Sequence, residues 1–81
     1  MDRMDHDINV LDKILNSPVL LGTYPFISHV HVYQFHKHID IVIVFDYSRK
    51  DDFFFNRDNI HVTISDLATM AGVETKYKIH P

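Results

Sequence analysis

ISHVHVYQFHKHIDIVIVF, residues 27–45, alternates between two kinds of side chain, interrupted only near His36-Lys37. Side chains of an extended strand point to opposite faces in turn, so this alternation predicts a β-hairpin. A two-residue turn at His36-Lys37 pairs Phe35 with His38, Tyr33 with Asp40, His31 with Val42 and His29 with Val44 on one face. The other face pairs Gln34 with Ile39, Val32 with Ile41 and Val30 with Ile43. That second face is almost wholly aliphatic and must face the core. The histidines therefore fall on the opposite face, with Tyr33, Phe35, Val42 and Val44. His-Lys is a poor two-residue turn, because such turns need positive φ. A longer loop through Phe35 to His38 keeps the same faces.

The remaining segments complete an α+β expectation. In INVLDKILN, residues 8–16, Ile8, Leu11 and Leu15 stand at helical spacing, with Asp7 as a candidate cap and Pro18 as a stop. PVLLGTYPF reads as an apolar connector over the core. DDFFF and IHVTI flank the polar NRDN and read as a second hairpin, with Phe53, Phe55, Ile60, Val62 and Ile64 inward and Phe54 outward. TISDLATMAG reads as a short helix capped by Thr63 and Asp66 and ended by Gly72. The tail, with Thr75, Tyr77 and Ile79 alternating against Lys76, Lys78 and His80, reads as a last strand. The expected fold is one α+β domain over residues 1–81. It has an N-terminal helix, a mainly antiparallel sheet built from two hairpins, a second short helix and a C-terminal strand.

Composition narrows the function classes. A chain of 81 residues has room for one core. The absence of cysteine removes disulfides and thiolate metal sites and fits a reducing compartment. No apolar run is long enough for a signal peptide or a membrane span, so the expected location is cytoplasmic. Net charge is −3 with histidine neutral, and the eight Lys and Arg are scattered, so nucleic acid is not the expected partner. Seven histidines would carry the formal charge from −3 to +4 if all were protonated, which makes solubility pH-dependent.

His29 and His31 stand roughly 7 Å apart on one strand face. A metal could bridge them, but the residues opposite are Val44 and Val42, which cannot ligate. No nucleophile elbow, glycine-rich phosphate loop or P-loop occurs, and the expectation is of no enzyme and no cofactor.

VTISDLATMAGVE, residues 62–74, resembles the opening of the helix-turn-helix in lactose-repressor-type transcription factors. The resemblance covers thirteen residues. It implies that Thr63 caps the first helix, that Gly72 makes the turn, and that Glu74, Thr75, Lys76 and Tyr77 open a recognition helix. The eight residues after Val73 leave no room for the family's third helix, and the β-rich first half departs from the family pattern.

Three consecutive phenylalanines and the leftover Tyr33, Phe35, Val42 and Val44 imply a sheet that is apolar on both faces. What stays uncovered is an interface candidate. The first expectation is a small stand-alone regulator or inhibitor that occupies a surface of another protein, of the kind phages and mobile elements encode. Tyr33, Phe35, His38, Val42 and Phe54 are its expected anchors, and Asp51, Asp52 and Arg57 its polar rim. The alternatives are a transcriptional regulator using residues 62–78 and a histidine-rich metal-binding protein. A second copy of the chain is the other candidate partner.

Overall fold

The computed structural model describes residues 2–81. Helix α1 spans Arg3–Leu15 and is followed by the one-turn helix α2, Pro18–Leu21. Strands β1, Ile27–Phe35, and β2, His38–Phe45, form the hairpin. A 3-10 turn at Tyr47–Arg49 leads into α3, Lys50–Phe55, and α4, Arg57–Met70, and β3, Tyr77–His80, closes the chain. The sheet order is β1-β2-β3, antiparallel between β1 and β2 and parallel between β2 and β3. The class is α+β, with a mixed sheet.

The hairpin register matches the expected one pair for pair, from Phe35↔His38 to His29↔Val44. The turn has two residues, and His36 supplies the positive φ, at 56°. Histidine is one of the few residues enriched in that region. The side chain of Gln34 donates to the His36 carbonyl at 2.9 Å, bracing the turn. Val30, Ile39, Ile41 and Ile43 are buried, so the aliphatic face is the core face.

Helix α1 begins earlier than Ile8. Asp2, rather than Asp7, caps it, accepting from the Asp5 amide at 2.9 Å. Leu11 and Leu15 are fully buried. Each such side chain contributes roughly 1.5–3 kcal/mol by leaving water. The helix stops at Leu15, and Pro18 opens α2, where its missing N–H costs nothing. Asn16 sits between the two helices and turns its side chain to β1. Its Nδ2 donates to the Val30 carbonyl at 2.9 Å, and its Oδ1 accepts from the Val30 amide at 2.8 Å.

The expected second hairpin does not form. DDFFF ends α3, and IHVTI lies inside α4. The buried residues Phe53, Ile60, Ile64, Leu67 and Ala68 follow helical spacing and pack on the core face of the sheet. Val62 and Phe55, expected inward, are exposed, while Phe54 faces outward as expected. Asn56 joins the helices instead of making a strand turn. Its amide bonds the carbonyls of Asp52 and Phe53, and its Nδ2 donates to Asp52 at 2.8 Å. Thr63 is therefore not a cap. It lies mid-helix and donates its hydroxyl to the Asn59 carbonyl at 2.8 Å. Gly72 does end the helix, with φ at +78°. The Gly72 amide bonds Thr69 O and the Val73 amide bonds Ala68 O, the paired bonds of a Schellman stop.

Two layers result. The helices cover the aliphatic face, and Phe53 stacks on Phe45 with ring centroids 4.0 Å apart. The segment 73–76 returns the chain to the sheet and is anchored by Asp7. That carboxylate is 1% exposed and accepts from the Glu74 and Thr75 amides at 3.2 and 3.0 Å and from the Thr75 hydroxyl at 2.7 Å. Arg3 pairs with it at 3.2 Å and donates to the Gly72 carbonyl.

Candidate functional site

The second face of the sheet carries no helix. Strand β1 presents His29, His31, Tyr33 and Phe35 on it in alternate positions, because the register places these residues opposite the core-facing Val30 and Val32. Strand β2 adds His38, Asp40, Val42 and Val44, and β3 adds Lys78 and His80, which pair with Asp40 and Val42. The rings form a row. His31 and Tyr33 lie with centroids 5.2 Å apart, and Phe35 meets His36 and His38 edge-on at 4.4 and 5.6 Å. Phe35 is 49% exposed, and His29, His31 and Lys78 are exposed as well.

Asp40 is the exception on this face, buried to 6% exposure. Its Oδ1 accepts from the Nε2 of His38 at 2.9 Å and from the Nε2 of His80 at 3.1 Å. Both imidazoles therefore carry a proton on Nε2. Burial alone would raise the Asp40 pKa, but the bonds from His80 and His38 outweigh it and hold the carboxyl below its ordinary range. Across the hairpin, burial and then the Asp40 charge push the Tyr33 phenol up. This clasp ties β3 to β2 on the open face.

The clasp was only half visible in the sequence. Asp40 and His38 were expected on one face, whereas His80 comes from 40 residues away through a parallel pairing that no local pattern announces. Among the described residues no group of three histidine, aspartate or glutamate side chains is placed to hold a metal ion. His29 and His31 face Val44 and Val42, as the register implied.

Tyr33, Phe35, His38 and Val42 come together on the open face. Phe54, Asp51, Asp52 and Arg57 do not join them, because they stand on α3 and α4, in the helical layer. Phe54 leans edge-on against Phe45 and Phe53 at 6.0 and 5.3 Å. Asp52 is paired with Arg49 at 3.0 Å. The helical end has its own exposed aromatics, Tyr47 at 70% and Phe55 at 88%. The Lys50 ammonium lies over the Tyr47 ring at 4.9 Å.

The helix-turn-helix expectation is corrected by the backbone. After Gly72, residues 73–76 are a loop and Tyr77 starts β3, so Glu74, Thr75, Lys76 and Tyr77 open no recognition helix. An open cleft of about 440 Å³ lies beside that loop, lined by residues 73–78 and His38. It is formed by one contiguous segment and a single residue of β2. No described serine or threonine hydroxyl bonds a histidine. No described helix is long and apolar enough to cross a membrane. Compared with protein-family models, curated proteins and solved structures, the chain has no match in any of the three.

Proposed function

We propose that this protein is a cytoplasmic regulator or inhibitor that works by docking the open face of its sheet onto another protein. The observation that carries the reading is the row of rings on that face. An antiparallel hairpin can leave one face to water, but such faces are ordinarily polar. Here Tyr33, Phe35, Val42 and Val44 share it with imidazoles, a mix of aromatic anchors and hydrogen-bond donors suited to a protein contact. The exposed aromatics at the helical end are the competing contact surface.

The test is capture from lysate with the tagged protein, repeated with a Tyr33→Ser/Phe35→Ser variant and a Tyr47→Ser/Phe55→Ser variant, each checked for folding by circular dichroism. The expected result is one stoichiometric protein, lost with the first variant and kept with the second. Loss with the second variant alone would move the contact to the helical end and refute the sheet-face reading. Capture of no protein at all would refute docking itself.

A further inference from the structure

Resting on that reading, we infer that the partner supplies an extended acidic segment, which adds as a strand to the free edge of β1 with its carboxylates beside the imidazole face. Two independent features converge on this occupant.

The first is the backbone of β1. A two-residue turn is closed by a hydrogen-bonded pair, here Phe35 and His38. Hydrogen-bonded pairs alternate along an antiparallel ladder, so Tyr33, His31 and His29 also spend their amides and carbonyls on β2. The amides and carbonyls of Val30, Val32 and Gln34 then point away from the sheet. Asn16 confirms the parity, since its side chain takes both groups of Val30. Val32 and Gln34 have no such seal among the described residues. The edge carries no lysine, proline or bulge between Val30 and Phe35 to discourage pairing, the devices by which sheets protect their edges. It is a short, unguarded docking edge for strand addition.

The second is charge. The chain is acidic overall, yet among the described residues Asp40 is the only carboxylate in any strand, and His38 and His80 already hold it. The other ten acidic residues lie in helices, caps and loops. Against this single occupied acid, β1 sets His29 and His31 on the open face, with His36 and Lys37 exposed at the hairpin tip, while Lys78 stands at the far edge of the sheet on β3. All are hydrogen-bond donors toward carboxylates. A strand added to β1 places every second side chain on this face, next to His29, His31, Tyr33 and Phe35. Acidic side chains there meet the ring N–H donors of His29 and His31 and no competing acid on β1.

The probe is a short fluorescent peptide of alternating glutamate and valine, titrated into the intact protein. An alternating lysine–valine peptide and a single-stranded oligothymidine are the comparisons. The glutamate peptide is expected to bind saturably and to release in 1 M salt, where the screening length falls to about 3 Å. On binding, the amides of Val32 and Gln34 should gain protection from hydrogen exchange, while those of His31 and Tyr33, already paired to β2, should not change. His29→Glu/His31→Glu, both at exposed positions on β1, should weaken the glutamate peptide by about tenfold and take up the lysine peptide instead. Equal binding of both peptides, no saturable binding of the glutamate peptide, or protection that misses Val32 and Gln34 would overturn the inference. Tighter binding of the oligothymidine than of the glutamate peptide would also overturn it, in favour of a nucleic acid strand. If lysate capture still finds a partner lost with Tyr33→Ser/Phe35→Ser, only this inference has failed and the docking face stands.

Discussion

Replacing Asp7 by alanine should loosen the C-terminal strand and lower the stability of the whole protein. Asp7 accepts three hydrogen bonds from the 74–75 segment and one ion pair from Arg3. Alanine leaves the Glu74 and Thr75 amides and the Thr75 hydroxyl without an acceptor. An unsatisfied buried donor costs about 1–3 kcal/mol. Glu74 is exposed, so water replaces part of the loss there, and Arg3 is nearly half exposed, so its ion pair adds little. The expected cost is about 2–4 kcal/mol, a large share of the 5–15 kcal/mol typical of a domain. Thr75→Val, which removes only the hydroxyl, should cost about 1–2 kcal/mol. Urea unfolding measures both. With a slope near 1 kcal/mol/M, the Asp7→Ala midpoint should fall by roughly 2–4 M. Hydrogen exchange should show the Thr75 amide and those of β3 losing protection before α1 does. The pH dependence carries the same signature. Burial pushes the Asp7 carboxyl up, but the Thr75 hydroxyl, the two amides and Arg3 more than offset it, so its folded pKa lies below 3.8. A depressed folded value means that the stabilisation is complete above the unfolded value and is lost as pH falls through the folded one. Asp7→Ala should flatten that part of the acid limb. A cost below about 0.5 kcal/mol, the range of surface substitutions, would refute the latch.

Three further outcomes follow from single contacts. The Nε2 of His61 is buried without a hydrogen-bond partner among the described residues, and burial, then Arg57, lower its pKa from 6.5. The unfolded chain therefore binds the proton more readily, so stability falls as pH drops below 6.5. His61→Leu should remove that part of the decline in melting temperature, and an unchanged decline would contradict it. Gly72→Ala meets no atom within 4 Å but must hold φ at +78°, so chemical unfolding should report a cost of about 1–2 kcal/mol from the backbone alone. Asn16→Ala frees the Val30 amide and carbonyl at the β1 edge, and sedimentation should show increased self-association with a stability loss of about 1–2 kcal/mol.

The hairpin was legible in the sequence because its information is local. Period-two alternation and a two-residue turn fix faces and register together, since slipping by one residue would send Val30, Ile41 and Ile43 to water. Gly72 was legible for a similar reason, a left-handed helix stop that needs no distant partner. Residues 51–64 were not legible. DDFFF and IHVTI suit a strand by their aromatic and β-branched content and a helix by the spacing of Phe53, Ile60 and Ile64. Packing settled the choice, because only the helix brings Phe53, Ile60, Ile64, Leu67 and Ala68 onto one core with Leu11 and Leu15. The candidate site divides in the same way. Its ring-bearing face is written in the alternation of 27–45. The clasp on Asp40 and the separation of Phe54, Asp51, Asp52 and Arg57 from that face were decided by the tertiary structure. Two helices carry the chain from β2 across to a parallel β3, and His80 reaches Asp40 only once that crossing has been made.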